Sequence, residues 1–429
     1  MVLVVKLSVA FGKGSVSFEL PRENLLGVVK PLDIKGVQDP TAEVRRALDH
    51  PISLKPLGKL VSRGQRVAIV VTDHTRPCPD DIILPMLLDD LQGAGVRLDD
   101  VSVVVGLGMH RKMSENEMRQ KFGTAVDRVE VVNHDPLDEG QLVYLGRTSS
   151  GAPVYVNRRV AQADLVIAVG VVEPHQYAGF SGGRKLVAVG AAGVETIAHT
   201  HQPRFIDAPG TRLGVLRGNP FHRELLEIAS KTNLRFAVNV VLNADQELVR
   251  CFAGEPNASL HAAARLARRL YIRPVKGQAD ILVLGVGHPK DRDLYQASRG
   301  VTYAYFASKP AVKEGGVIIL AAPCSEGVGD RRFETLFKRA ETPSKLVAMG
   351  KRSGFEPGEQ RAYMLARVLE HARVIVAGST LPHELLEEMF LGFASSVDEA
   401  LEEAFRLLGK DAKVMVIPHS LLTIPMVKI

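Results

Sequence analysis

The chain has 429 residues, 54 Lys+Arg against 48 Asp+Glu, and 46% hydrophobic residues, a composition that excludes a disordered tail or a fibre. The net charge of +6 is spread along the chain, aromatics make up only 5% and Trp is absent, so a basic stripe with stacking platforms for nucleic acid is not expected. Anionic small molecules remain reasonable partners, because a mildly basic protein can still focus positive potential in one cleft.

Three widely spaced cysteines, Cys78, Cys251 and Cys324, form no Cys-x-x-Cys pair, which argues against a disulfide framework or thiolate zinc site. The longest apolar runs, 163–172 and 101–109, reach about half of the ~20 residues a membrane helix needs. Residues 1–10 carry Lys6 inside their apolar stretch and show no cleavage site, so they do not read as a signal peptide, and a cytoplasmic location is expected.

In chain order, residues 2–20 alternate apolar and polar about Gly12-Lys13-Gly14, which predicts a hairpin. Short runs rich in Val, Ile and Leu follow at 66–72, 101–106, 164–172, 280–285, 316–321 and 373–378. Stretches of helical period lie among them at 80–93, 114–122 and 397–408. Buried strands alternating with helices imply α/β domains with mainly parallel, Rossmann-like sheets. Ser114 and Glu117 have capping-box spacing, which starts a helix there and leaves His110-Arg111-Lys112 in a loop. The segment 272–279 follows a long Ala/Arg/Leu helix and precedes a new strand, which suits a boundary. The expected division is a catalytic domain over 1–273, to which the tail 413–429 is a candidate to return, and a second α/β domain over 274–412 that closes an active-site cleft between the two.

In parallel sheets ligands bind beyond the carboxyl ends of the strands. The residues there are Asp73-His74-Thr75-Arg76-Pro77, then Gly108-Met109-His110-Arg111, then Glu173-Pro174-His175 leading into Gly179-Phe180-Ser181-Gly182-Gly183-Arg184-Lys185. Any one of them has an ordinary explanation as a cap or a surface loop, but together they mark one crevice. Gly182 and Gly183 permit close backbone approach and anion-cradling amides. The block is not a Walker loop, since Lys185 is followed by Leu, and no Gly-x-Gly-x-x-Gly fingerprint opens a helix here. Spacing leaves two roles open for Lys185, an activated nucleophilic amine or a phosphate partner. His199 and His201 are two residues apart, so only one of them is expected to enter a site.

These pieces, with His199-x-His201 and Asp293-Leu294-Tyr295-Gln296-Ala297-Ser298-Arg299, resemble the nickel-pincer lactate racemase family of 2-hydroxyacid racemases and epimerases, and the resemblance spans both expected domains. It implies a pyridinium-3-thioamide-5-thiocarboxylic acid mononucleotide that grips nickel in a pincer and is tethered to Lys185, beside Gly182 and Gly183. His201 is then the remaining nickel ligand. It further implies His110 and His175 as the acid/base pair on opposite faces of a 2-hydroxyacid, and Asp73, Arg76, Gln296 and Arg299 as substrate-binding residues. The cofactor-synthesis enzymes are implied partners, while no nucleic-acid or membrane partner is expected. Planar donors suit nickel(II), and imidazoles that titrate near neutrality suit proton exchange in both directions. The family's lactate-using members carry Lys where this sequence has Arg299, which points toward a larger or more polar acid, such as malate or a sugar acid. The competing readings are a nucleotide-dependent 2-hydroxyacid dehydrogenase or lyase and a non-catalytic anion-binding homologue.

Overall fold

The computed structural model describes residues 3–307 and 309–427. It separates into two compact units, Ile34–Arg268 and a second formed by Met1–Asp33 with Arg269–Ile429.

The Ile34–Arg268 unit is built on a six-stranded sheet, ordered Leu248–Gly254, Leu234–Leu242, Leu165–Val171, Val67–Val71, Val101–Val105, Glu130–Asn133. Every pairing is parallel except that of Leu248–Gly254 with Leu234–Leu242. Val67–Val71 and Leu165–Val171 are buried at every residue. Both sheet faces are covered, so these strands read as unbroken apolar runs rather than alternating ones. Leu84, Leu87, Leu88 and Leu91 of the Asp80–Gly93 helix pack with Ile69, Val103 and Ile167 in one core. Each such side chain contributes roughly 1.5–3 kcal/mol by leaving water. The chain runs outward from Val67–Val71 through Val101–Val105 to Glu130–Asn133, then returns to the other side at Leu165–Val171. The order therefore reverses between Val67–Val71 and Leu165–Val171, and the crevice beyond their carboxyl ends is the natural ligand position of such a sheet. The expected helix after Ser114 is present as Glu115–Phe122, and its reciprocal capping box is complete.

In the second unit six strands run parallel in the order Gly392–Ala394, Arg373–Ala377, Val312–Ala321, Ala279–Gly285, Val414–Ile417, Leu25–Val28. The expected hairpin is Val4–Phe11 with Gly14–Pro21, turned at Gly12 with φ 56°. It buries Val9, Phe18 and Leu20 against Ile281, Val283 and Ile319.

Two expectations about domain limits are corrected. The boundary placed at 273 falls between 268 and 269, and residues 1–33 belong with the C-terminal part. The tail does not return to an N-terminal domain, because Val414–Ile417 pairs with Ala279–Gly285 on one side and Leu25–Val28 on the other. Long-range strand pairing of this kind leaves no local mark in a sequence. No helix among the described residues is long and apolar enough to cross a membrane.

Candidate active site

Three strand ends of the Ile34–Arg268 unit carry the predicted residues to its switch point. After Val67–Val71, the Asp73 carboxylate is 4% exposed and both its oxygens are engaged. Oδ1 accepts from Thr75 N at 2.8 Å and Thr75 Oγ1 at 2.5 Å, and Oδ2 lies 2.5 Å from His110 Nδ1. Burial by itself would raise the Asp73 carboxyl. The His110 imidazole, the Arg76 guanidinium and the Thr75 hydroxyl outweigh it and hold the group well below the usual carboxylate range. An ionised Asp73 accepts the Nδ1 proton, which puts the lone pair of neutral His110 on Nε2. Asp73, expected among the substrate ligands, lies against His110 and orients its ring.

Arg76 donates to Thr75 O and Oγ1 and lies 3.8 Å from Glu173 Oε1, so the first and third strand ends meet. Its backbone carbonyl accepts from Lys121 Nζ at 2.8 Å. The same ammonium pairs at 2.8 Å with Asp80, a fully buried carboxylate. A buried ion pair thus anchors the loop that carries Asp73 and Arg76.

His175 is oriented in the opposite sense. It sits in a two-residue antiparallel ladder, Pro174–His175 with Gly179–Phe180. Its Nδ1 accepts from the backbone N–H groups of Tyr177 and Ala178 at 3.3 and 3.2 Å. An accepting Nδ1 leaves the proton of neutral His175 on Nε2.

Lys185 is half-buried and leads into a π-helical turn, Leu186–Gly190. Irregular turns of this kind are frequent at functional sites. Gly182 has φ 105°, and a Cβ there would stand 2.7 Å from Asn239 Oδ1 and 2.8 Å from Val172 Cγ2. The Gly183 N–H donates to Asn239 Oδ1 at 3.1 Å. These glycines let the loop pack onto Asn239, and the Gly183 amide is engaged there rather than presented as part of an anion cradle. The neighbouring Arg184, 1% exposed, donates to the carbonyls of Ala178, Phe180 and Gly182 and, at 2.8 Å, to His222 Nδ1. Burial alone brings its guanidinium down to about 9, and burial together with that guanidinium holds His222 at about 3. The pair braces the loop from inside. Nothing in local sequence marked it, because the carbonyls that surround Arg184 converge only in three dimensions.

His199 and His201 sit at and just beyond the end of the Val194–Thr200 helix, and the structure separates them. His199 bonds to Ser150 and Arg204. His201, 8% exposed, packs edge-on against Tyr177 and Phe221 with centroids 5.7 and 5.1 Å apart. Its Nδ1 lies 2.9 Å from Ile197 O, a carbonyl that can only accept, so the proton is on Nδ1 and the lone pair on Nε2. That is the tautomer of a histidine metal ligand held by a backbone carbonyl. Among the described residues, no three His, Cys, Asp or Glu side chains converge as a metal site. A metal on His201 would therefore draw its other donors from a bound group, which is what a pincer nucleotide offers.

Gln296 and Arg299 lie in the second unit, on the Leu294–Tyr305 helix that follows the Ala279–Gly285 strand. Asp293 caps this helix, accepting from Gln296 N at 2.7 Å. Gly300 allows it to lie against the 418–423 loop, since a Cβ there would stand 2.5 Å from Ser420 Oγ. Arg299 is 4% exposed; its Nη2 donates to Tyr303 Oη at 2.8 Å and its Nη1 to Gln296 Oε1 at 3.4 Å.

Two doubly covered parallel sheets, with histidines, a lysine and arginines collected beyond their strand ends, define an α/β enzyme. Residues 11–214 match the lactate racemase N-terminal domain and residues 275–424 the lactate racemase C-terminal domain. The chain is 33% identical over 422 residues to the lactate racemase of Thermoanaerobacterium thermosaccharolyticum, covering 97% of this chain and 98% of that one. It is 31% identical over 424 residues to the lactate racemase of Lactiplantibacillus plantarum, covering 97% and 99%. The apoprotein structure of the former superposes with TM-score 0.90 at 32% identity, over 99% of this chain and 100% of that one. A Thermotoga maritima protein shares the fold, with TM-score 0.71 at 18% identity over 92% and 100%. The chain belongs to the lactate racemase family. It is an isomerase of the racemase class.

Proposed function

We propose that the protein racemises or epimerises a 2-hydroxyacid by reversible hydride transfer, using a nickel-pincer nucleotide tethered to Lys185. When bound, that group would supply the hydride acceptor and the other donors to nickel, and His201 Nε2 would supply the remaining ligand.

What supports the reading is that the two candidate imidazoles are held by different Nδ1 partners, and so in different tautomers. His110 keeps its lone pair on Nε2 because Nδ1 faces the Asp73 carboxylate. His175 keeps its proton on Nε2 because Nδ1 accepts two backbone amides. Inverting a carbinol carbon needs one group to take the hydroxyl proton and another to return a proton when the planar 2-keto acid is reduced from its other face. His110, with its lone pair on Nε2, can take the hydroxyl proton and become an imidazolium, and the proton returned to the keto oxygen must likewise come from an imidazolium, so His175 serves as the acid only after it has itself been protonated. Arg76, which contacts Thr75 and Glu173, would bind the substrate carboxylate. Gln296 and Arg299 are inferred as further substrate-binding residues. A non-catalytic binder has no need of two histidines whose ring orientation is fixed in this way together with the lysine at 185.

The test uses protein produced together with the cofactor-synthesis enzymes. Intact-mass and peptide analysis should place an adduct on Lys185, nickel should approach one per chain, and one enantiomer of a 2-hydroxyacid should yield both. Loaded protein that oxidises the acid to a released 2-keto product, without forming the opposite configuration, would favour the dehydrogenase.

A further inference from the structure

A cavity of about 550 Å³ lies in the Ile34–Arg268 unit and shares no residue with the candidate active site. Its volume is within the range of small-molecule sites, roughly 300–1,000 Å³. One wall is the antiparallel hairpin Leu142–Arg147 with Pro153–Asn157. Tyr144 and Tyr155 stand directly opposite in its register, so both rings are on one face, 5.1 Å apart and tilted by 41°. Leu142, two residues before Tyr144, shares that face. Gly193 lets the next segment close on the hairpin, since a Cβ there would stand 2.9 Å from both Leu142 Cδ1 and Tyr155 Cβ. Its N–H donates to Tyr155 O at 2.9 Å, and the N–H of Val194 donates to Pro136 O at 3.0 Å, which brings in Leu137 and Glu139.

The cavity opens to solvent along Leu137 and Tyr144, which are 60% and 50% exposed. The charged residues on its lining, Glu139 and Glu195, are both acidic, although the chain as a whole carries +6. Nearby acids are matched, Asp135 by Lys112 at 2.9 Å and Glu130 by Arg159 at 2.6 Å. Among the described residues no cation pairs with Glu139 or Glu195. Tyrosine faces attract cations, and they do so best when the cation is an organic one that gives up its water readily. A metal ion does not suit the lining, because no three His, Cys, Asp or Glu side chains converge among the described residues. A folded partner would need about 800 Å² on each side, whereas the exposed large apolar side chains of this lining are only Leu137 and Tyr144.

We infer that this cavity binds a small organic cation, an alkylammonium compound whose stem lies against Tyr144 and Tyr155 and whose charge is met by Glu139 and Glu195. The inference stands apart from the racemase reading, since the two sites have no residue in common. An anion is repelled by both carboxylates, and a neutral molecule of the same shape gains neither the ring faces nor the charge.

Calorimetric titration of the full chain with 1,4-diaminobutane, which offers one ammonium to each carboxylate, tests this without any turnover. Saturable binding with Kd below about 1 mM is expected, and 1,4-butanediol, its neutral counterpart, should give none. Tyr144→Ala and Glu195→Gln, both at exposed positions, should each weaken diamine binding at least fivefold. Glu384→Gln removes an exposed acid of the second unit and should leave binding within twofold of the wild type. Thermal unfolding checks that all three variants are folded. The site is overturned by the absence of saturable heat up to about 10 mM diamine, or by a diol that binds as tightly as the diamine. It is equally overturned if Tyr144→Ala and Glu195→Gln leave binding unchanged, or if Glu384→Gln weakens it as much as they do.

Discussion

Replacing Asp73 with Asn tests the central geometry. The carboxylate is 4% exposed and lies 2.5 Å from His110 Nδ1, while Thr75 supplies two donors to its other oxygen. An amide in this position removes the charge that the Nδ1 proton faces. It can also present an N–H to the ring, which would move the lone pair of His110 to Nδ1 and the proton to Nε2. A hydrogen bond to a charged group is worth about 1.5–3 kcal/mol, which corresponds to a loss of about ten- to 150-fold in kcat. The larger figure applies if the tautomer changes, since proton removal then has no base. Initial rates on loaded enzyme measure the loss, and ring-nitrogen NMR of unloaded protein reports which nitrogen of His110 carries the proton. The wild type should show the proton on Nδ1 and Asp73→Asn should show it displaced. A variant that keeps kcat within twofold, or an Nδ1 proton unchanged by the substitution, would refute the orienting role of Asp73.

Other substitutions address separate parts of the site. Lys185→Ala should eliminate the mass adduct while the protein still unfolds cooperatively; an adduct that persists would place the tether elsewhere. His201→Ala should reduce nickel retained after gel filtration to well below one per chain without removing the adduct on Lys185. Lys121→Met leaves the fully buried Asp80 without its 2.8 Å partner, so urea unfolding should show a loss of about 3–5 kcal/mol, part of which Asp80→Asn in the same chain recovers. His222 is held neutral by burial and by Arg184, down to about 3. It is protonated more readily unfolded than folded, so stability should fall as pH drops from about 6.5 toward 3. His222→Gln should flatten that slope in urea titrations at pH 7 and pH 5.

Much of the site was legible because parallel sheets tie chemistry to position. An apolar run buried on both faces shows where a strand ends, and candidate site residues follow the end, which is how His110, His175 and Lys185 stand out. The roles of single atoms were not legible. Nothing local shows that the Asp73 carboxylate lies against His110, or that the Gly183 amide donates to Asn239.

Local patterns fixed what depends on near neighbours: the Gly12 hairpin, the Ser114 capping box, the buried strands and the family motifs after them. Tertiary structure alone decided which distant segments share a sheet, as when Leu25–Val28 joins Val414–Ile417. It also decided which nitrogen of each histidine holds its proton. Strand pairing and tautomer both depend on partners far away in the chain, whereas a turn or a cap depends on backbone groups only a few residues off.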